Sequence, residues 1–260
     1  MKSNYGDEVS VALDGRHVAI VVLDRPPNNH VTPELIGGLA DALEDLDGEN
    51  DCRAIVLATT GKVFCAGADL ANKLTDPSDM SNVSALYAQV VRLFDCQTPV
   101  VAAVQGAAIG AGLGLAVFAD FRVASPEARF AANFTKLGYH PGFGLTHTLP
   151  RLIGHQRADL MFLTGRRFKP EEVAPWGLVD EIVPADKLME AARALAREIA
   201  ENAPLAIVAT RKTLRDGIAQ AVRTQIAHEF GQQAILRVTD DYAEGVKAVA
   251  ERRPGNFAGR

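Results

Sequence analysis

Apolar and polar positions along the chain follow two patterns as far as about residue 185 and only one pattern after it. Apolar runs typical of strands occur at Val9–Leu13, His17–Leu23, Ala54–Ala58, Val100–Val104 and Phe121–Ala124. Between these runs the apolar residues recur about every 3.6 positions, which predicts helices. Beyond residue 185 only the helical period remains. The pattern therefore predicts alternating strands and helices followed by an all-helical C-terminal region.

Start signals and apolar faces place the main helices. Thr32-Pro33-Glu34 combines a capping threonine, a first-turn proline and a carboxylate near the positive end of the helix dipole. A further helix is predicted over Ser81–Cys96. Near the C-terminus a long apolar stripe is formed by Ile218, Val222, Ile226 and Phe230. Because the helical tail is too small to bury the whole stripe, we expect the stripe to lie between copies of the chain.

One apolar segment has the length of a membrane span. Residues 100–119 contain Gln105 as their only polar side chain. The segment is rich in glycine and alanine, however, and Gly106 would interrupt a helix. We therefore predict a buried strand that leads into a packed helix, and no membrane association.

Composition limits the classes of function. The chain has 260 residues, 48% hydrophobic content and a formal net charge of −5, which disfavours a nucleic-acid surface. Its cysteines, Cys52, Cys65 and Cys96, are too scattered for a disulfide framework and form no CxxC metal motif. The first ten residues lack an apolar signal core. We expect a cytoplasmic enzyme-sized domain without a metal.

Two segments of very small residues stand out, and each follows a strand-like run. They are Phe64–Leu70, with the sequence FCAGADL, and Gly106–Gly114, with the sequence GAAIGAGLG. Small side chains allow a ligand to approach the backbone closely. Two main-chain N–H groups that converge on one point form an oxyanion hole. The GAGLG portion also resembles a dinucleotide-binding loop, but its spacing is GxGxG rather than GxGxxG.

Five segments in order resemble the crotonase (enoyl-CoA hydratase/isomerase) superfamily from about Val9 to the end of the chain. They are Leu23–Pro26, Arg53–Leu57, Phe64–Leu70, the Gly106–Gly114 run ending in Ala119-Asp120, and Lys136–Gly138 leading to Leu149–Gly154. The resemblance implies an α/β fold, a spiral of ββα turns, with a helical C-terminal trimerisation region. It implies a core over residues 1–200, a helical region over 201–260, and a homotrimer or a dimer of trimers.

The resemblance also implies an acyl-CoA thioester as partner, with coenzyme A as part of the substrate and no separate cofactor. By position, the oxyanion-hole donors would be the N–H groups of Ala68 and Ala111. The implied substrate-binding positions are His30, Ala66, Gly67, Asp69, Leu70, Gly110, Gly114 and Phe134. Ala111 falls at the start of a predicted helix, where free N–H groups and the dipole favour an oxyanion.

The chain departs from the family at its acid and base positions. Hydratases of the family use two glutamates, which would stand at Gly114 and Phe134. Some isomerases use an aspartate at the position of Gly142. None of the three is a carboxylate, so the usual water-adding mechanism lacks its proton carriers.

Histidines are the remaining proton-transfer candidates. His140 lies in a loop that borders the acyl pocket in the family and is our first choice, with His30 next and His147 third. A histidine that only bonds a loop carbonyl is the competing interpretation for each. Asp120 and Cys65 are interpreted as structural residues.

The sequence thus predicts an acyl-CoA-processing enzyme of the enoyl-CoA hydratase/isomerase family that stabilises a thioester enolate in a backbone oxyanion hole. One alternative is a β-dicarbonyl C–C hydrolase or decarboxylase of the same fold. Another is a catalytically silent acyl-CoA-binding subunit. The acyl pocket is expected to be lined by Met80, Leu86, Tyr87, Phe134 and Phe143.

Overall fold

The computed structural model describes residues 2–69 and 78–260. Eight strands are found there: β1 (Val9–Leu13), β2 (Val18–Leu23), β3 (Ala54–Thr59), β4 (Val100–Val104), β5 (Ala107–Ile109), β6 (Phe121–Ala124), β7 (Arg129–Ala131) and β8 (Glu181–Ile182). The helices are α1 (Pro33–Asp47), α2 (Ser81–Leu93), α3 (Ala111–Phe118), α4 (Leu145–Ile153), α5 (His155–Thr164), α6 (Pro170–Val173), α7 (Leu188–Ala200), α8 (Pro204–Leu214), α9 (Ile218–Leu236) and α10 (Asp240–Ala250).

The strands form a large sheet and a small one. The large sheet has the order β1-β2-β3-β4-β6-β8, in which only β1 and β2 pair antiparallel. The small sheet pairs β5 with β7, and an isolated bridge joins Cys65 to Ala108 in the same parallel sense. Successive turns of the chain therefore add a long strand to one sheet and a short strand beside it, which gives the predicted spiral.

Both faces of the large sheet are covered. Along β3, Ile55 and Leu57 face the main core, whereas Ala54 and Val56 face α7. Burial on both faces explains why this strand reads as a continuous apolar run. The predicted start of α1 is also confirmed, because Thr32 Oγ1 accepts a hydrogen bond from the Leu35 N–H at 3.1 Å.

The 100–119 segment is divided among β4, β5 and α3, as the small residues predicted. None of the helices in the described residues is long and apolar enough to cross a membrane. The strands end at Ile182, and the C-terminal region is helical as expected.

The apolar stripe on α9 behaves differently from the prediction. Val222 and Ile226 are buried within the chain itself, and Ile218 and Phe230 pack against the same core. Helices α2 and α4 both contact α9 and cover this face. The chain itself therefore covers most of the stripe, contrary to the expectation that its helical tail is too small to do so. The trimer itself stays a prediction. Four other large apolar side chains of this region are exposed: Leu205, Leu214, Ile235 and Val238.

Candidate active site

Two small-residue loops lie side by side and are joined through their backbones. The Cys65 N–H donates to the Ala107 carbonyl at 2.9 Å, and the Ile109 N–H donates to the Cys65 carbonyl at 3.0 Å. Gly67 has a φ of 89°, and a Cβ atom there would lie 2.8 Å from the Ile109 carbonyl oxygen. Only glycine fits this close approach.

The N–H groups at the ends of these loops are available to a ligand. Ala111 is the first residue of α3, and Gly110 before it has a φ of 57° and a ψ of −118°, a conformation suited to glycine. Within residues 2–69 and 78–260, the Ala68 and Ala111 N–H groups donate no backbone hydrogen bond. Both residues line the same cavity. The arrangement can bind a carbonyl oxygen that gains negative charge.

The cavity has a volume of about 270 Å³. It is walled by the two loops, α2, the segment 133–142 and the last helices, α9 and α10. Its lining includes eight of the residues named from sequence: His30, Ala66, Gly67, Ala68, Asp69, Gly110, Ala111 and Phe134. Leu70 lies outside the described residues.

The remaining two predicted residues are placed elsewhere. Gly114 is buried in α3, and a Cβ atom there would lie 2.5 Å from Cδ1 of Phe143. Phe143 is fully buried and has a φ of 66°, which a bulky residue seldom adopts. An aromatic ring thus occupies the space beside Gly114 into which a family glutamate would extend.

His140 does not line the cavity. Its Nδ1 lies 2.7 Å from the Pro141 carbonyl oxygen, and its ring packs edge-on against His228 with centroids 6.1 Å apart. Burial lowers the pKa of His140. This is the competing interpretation made from sequence, a histidine that bonds a loop carbonyl. His147 lies in α4 and does not line the cavity.

His30 does line the cavity, beside the oxyanion-hole loop. Its Nδ1 lies 3.1 Å from the carbonyl oxygen of Gly67. A carbonyl oxygen can only accept a hydrogen bond, so Nδ1 carries the proton. In the neutral ring, Nε2 is then the basic nitrogen.

The position of the family aspartate is filled by a hydrogen-bonded pair. A Cβ atom at Gly142 would overlap the hydroxyl of Tyr87. That hydroxyl donates to Gln233 Oε1 at 2.9 Å, and Gln233 Nε2 donates to the His140 carbonyl at 3.0 Å. Burial raises the pKa of Tyr87 well above its ordinary value, so this phenol is neutral.

Sequence reasoning missed the contribution of the C-terminal helices. Gln233 lies on α9 and Arg237, one turn later, caps its C-terminal end; α10 adds Val246, Val249 and Ala250 to the lining. Leu86, Tyr87 and Phe134 line the cavity as predicted, whereas Met80 and Phe143 do not. Arg237 directly follows the apolar period of α9, but no motif marks it.

Asp120 and Cys65, which the sequence analysis interprets as structural, make structural contacts or are buried. Asp120 pairs with Arg211 at 2.9 Å and with Arg215 at 3.0 Å, and it accepts the Val100 N–H at 2.8 Å. Burial raises the pKa of Cys65 to about 12, so its thiol is not a nucleophile at neutral pH. The described part of the chain contains no cluster of potential metal ligands.

A parallel spiral whose small-residue loops leave two N–H groups at an apolar cavity is the architecture of the crotonase superfamily. Residues 14–260 match the family model described as enoyl-CoA hydratase/isomerase. The chain belongs to this family.

Its relatives have different named activities. The chain is 34% identical over 249 residues to the (E)-benzylidenesuccinyl-CoA hydratase of Thauera aromatica, covering 94% of this chain and 96% of the relative. It is 31% identical over 250 residues to the 1,2-epoxyphenylacetyl-CoA isomerase of Escherichia coli K12, covering 94% and 95%. The crystal structure of an enoyl-CoA hydratase/isomerase from Pseudoalteromonas atlantica matches with a TM-score of 0.86 and 30% identity, covering 97% of this chain and 100% of that one.

Proposed function

We propose that this enzyme binds an acyl-CoA thioester and stabilises its enolate with the N–H groups of Ala68 and Ala111, while His30 moves the proton. One observation carries the proposal: both N–H groups lack a backbone acceptor in the described residues and border one mainly apolar cavity. Hydrogen-bond donors fixed in a dry site stabilise developing charge far more than they would in water.

The reaction differs from ordinary water addition because the carboxylate positions hold other groups. Phe143 packs against Gly114, Phe134 lines the cavity, and Tyr87 blocks Gly142. Each missing acid or base removes about 10² to 10⁴ in rate from a reaction that depends on it. Hydration of a simple enoyl-CoA is therefore expected to be very slow.

His30 replaces His140 in the proposed mechanism. The Gly67 carbonyl fixes the ring so that Nε2 can accept a proton from the carbon next to the thioester. The electron pair of that C–H bond then forms the enolate, whose oxygen the two N–H groups stabilise. In a 3-enoyl thioester this enolate is conjugated with the β,γ double bond, so return of the proton from Nε2 to the γ-carbon moves the double bond to the α,β position and completes an isomerisation.

A second candidate, decarboxylation or C–C cleavage of a β-dicarbonyl thioester, is favoured because the glutamate positions hold Phe134 and Gly114, the latter packed against Phe143. In a decarboxylation, the bond from the α-carbon to the carboxylate breaks and its electron pair forms the enolate. Carbon dioxide leaves, and one proton is then delivered to the α-carbon. This route needs the oxyanion hole but no glutamate pair.

A panel of 2-enoyl-CoA, 3-enoyl-CoA, β-ketoacyl-CoA and malonyl-type thioesters, with products identified by mass spectrometry, tests both candidates. On the substrate that reacts, His30→Ala is expected to lower kcat by about 10² or more. His140→Ala is the matched control and is expected to keep near wild-type kcat.

Three results would contradict parts of the proposal. Full activity of His30→Ala would remove His30 from the mechanism. Fast hydration of crotonyl-CoA would mean that another acid serves the hydratase reaction. Ala68→Trp should fill the thioester end of the cavity, so undiminished thioester binding by that variant would remove the oxyanion-hole assignment.

A further inference from the structure

Arg237 is a buried arginine without a carboxylate partner in the part of the chain that the structure describes. It is 9% exposed, and Arg122 and Arg211 are buried to a similar or greater extent. Arg122 pairs with Asp180 and Arg211 pairs with Asp120. Arg237 forms no ion pair anywhere in residues 2–69 and 78–260. Buried charges are normally paired, so within the described residues this guanidinium lacks a counter-ion.

The neighbours of Arg237 do not supply one. Its Nη1 lies 3.5 Å from the sulfur of Met80, a weak acceptor, and its buried Nε has no hydrogen-bond partner. Asp79 is close enough for Arg237 to lower its pKa slightly, but it is solvent-exposed and caps the Ser81 N–H instead. The C-terminal end of α9 favours a cation without pairing it.

The guanidinium borders the cavity that contains the oxyanion hole. Arg237 lies one turn beyond Gln233, and both line that cavity. Tyr139 lines it as well, and Arg237 lowers the pKa of this phenol against the larger upward effect of burial, which places the two groups together. A planar guanidinium beside a phenol forms a donor set suited to a carboxylate.

We propose that Arg237, with Tyr139 beside it, binds a carboxylate at the distal end of the acyl chain, so that the preferred substrates are thioesters of dicarboxylic acids. This inference rests on the function proposed above. The other anion that an acyl-CoA could offer is a phosphate of coenzyme A. Burial of Arg237 among apolar residues of a cavity of about 270 Å³ favours the acyl carboxylate over the bulky, solvated nucleotide.

Binding of unreactive saturated thioesters tests the proposal without requiring turnover. Isothermal calorimetry would compare pairs of five to eight carbons that end in either a methyl or a carboxylate, such as hexanoyl-CoA and adipyl-CoA. The wild type is expected to bind at least one dicarboxylic member more tightly than its neutral partner. In Arg237→Gln that member should weaken by about 30-fold or more, and its neutral partner by little.

Two control variants separate this role from general electrostatics. Arg223→Gln removes a half-exposed arginine from the same helix, where it pairs with Asp95 at 3.3 Å, and should leave the preference unchanged. Asp79→Asn should also leave it unchanged. A loss of preference in Asp79→Asn would mean that Arg237 serves that carboxylate, and it would overturn the proposal.

The same pairs attached to pantetheine, which lacks the nucleotide phosphates, identify the anion. Preference for the carboxylate that persists on pantetheine supports the proposal. Equal weakening of all CoA esters in Arg237→Gln, with no effect on pantetheine esters, would assign Arg237 to a CoA phosphate and overturn it. If the thioesters bind but no pair shows a preference, only this inference fails. If no thioester binds at all, the proposed function fails with it.

Discussion

The contact between Gly114 and Phe143 leaves no room for a side chain at position 114, and it can be tested through stability. A methyl group added at Gly114 would lie 2.5 to 2.8 Å from the Cδ1, Cγ and Cβ atoms of Phe143. Overpacking of this kind costs about 1–3 kcal/mol. Alanine is favoured over glycine inside a helix by about 1 kcal/mol. Gly114→Ala is therefore expected to lower the free energy of unfolding by up to about 2 kcal/mol.

Gly231 provides a matched control for the helix propensity. It lies within α9, and a Cβ atom there would meet nothing within 4 Å. Gly231→Ala should gain about 0.5–1 kcal/mol from propensity alone. The difference between the two variants then isolates the steric contact, and it should amount to about 1–3 kcal/mol.

A double-mutant cycle assigns that contact to Phe143. Phe143→Ala alone should cost about 3–5 kcal/mol because it opens a cavity in the core. In the double variant the new methyl group enters the vacated space. The loss in free energy of unfolding should therefore be smaller than the sum of the two single losses by about 1–3 kcal/mol. Urea unfolding followed by circular dichroism at one protein concentration measures all four proteins. If Gly114→Ala is as stable as Gly231→Ala, the ring does not occupy the glutamate position.

Two further predictions concern acidic residues outside the cavity. Burial raises the pKa of Glu229 to about 7 from an ordinary 4.5, so its contribution to stability is present below pH 4.5 and lost as the pH rises through 7, by up to about 3 kcal/mol. Urea titrations at pH 5 and pH 8 should show this loss in the wild type and not in Glu229→Gln. An equal change in the free energy of unfolding between the two pH values in both proteins would contradict it. Asp120→Asn leaves the buried Arg211 and the half-buried Arg215 without this anion and should cost about 3–5 kcal/mol, whereas Asp95→Asn, in an exposed pair, should change stability by less than about 1 kcal/mol. Thermal unfolding compares these variants, and similar losses for both would refute a central role for Asp120.

The strands and the two small-residue loops could be predicted from sequence because their signals are local. A strand buried on both faces must be apolar throughout, as in Ala54–Thr59. A loop whose backbone approaches another backbone must carry glycine at the contact, as Gly67 does against Ile109. Neither inference requires knowledge of distant parts of the chain.

The side chains that line the cavity were less predictable because tertiary packing decides their direction. Pro141 and Gly142 follow His140, and the sequence does not reveal that its ring turns toward the Pro141 carbonyl rather than the cavity. The stripe through Val222 and Ile226 shows that one face of α9 is buried, but not that the same chain covers it. Arg237 had no signal, since a buried arginine at a helix end reads like any surface arginine.

The small-residue loops and the cavity-lining side chains have different roles in the proposed site. The proposed oxyanion hole is made of main-chain N–H groups, so we expect it to survive substitution of most side chains around it. The side chains around it come from His30, α2, residues 133–142, α9 and α10, and we propose that they decide which bond breaks. Here Phe143 packs tightly beside Gly114, so replacing that glycine with glutamate cannot by itself restore a hydratase. The residues at the glutamate positions and their packing neighbours must therefore be replaced together. We expect the cavity-lining side chains, rather than the backbone motifs, to determine which reaction this chain catalyses.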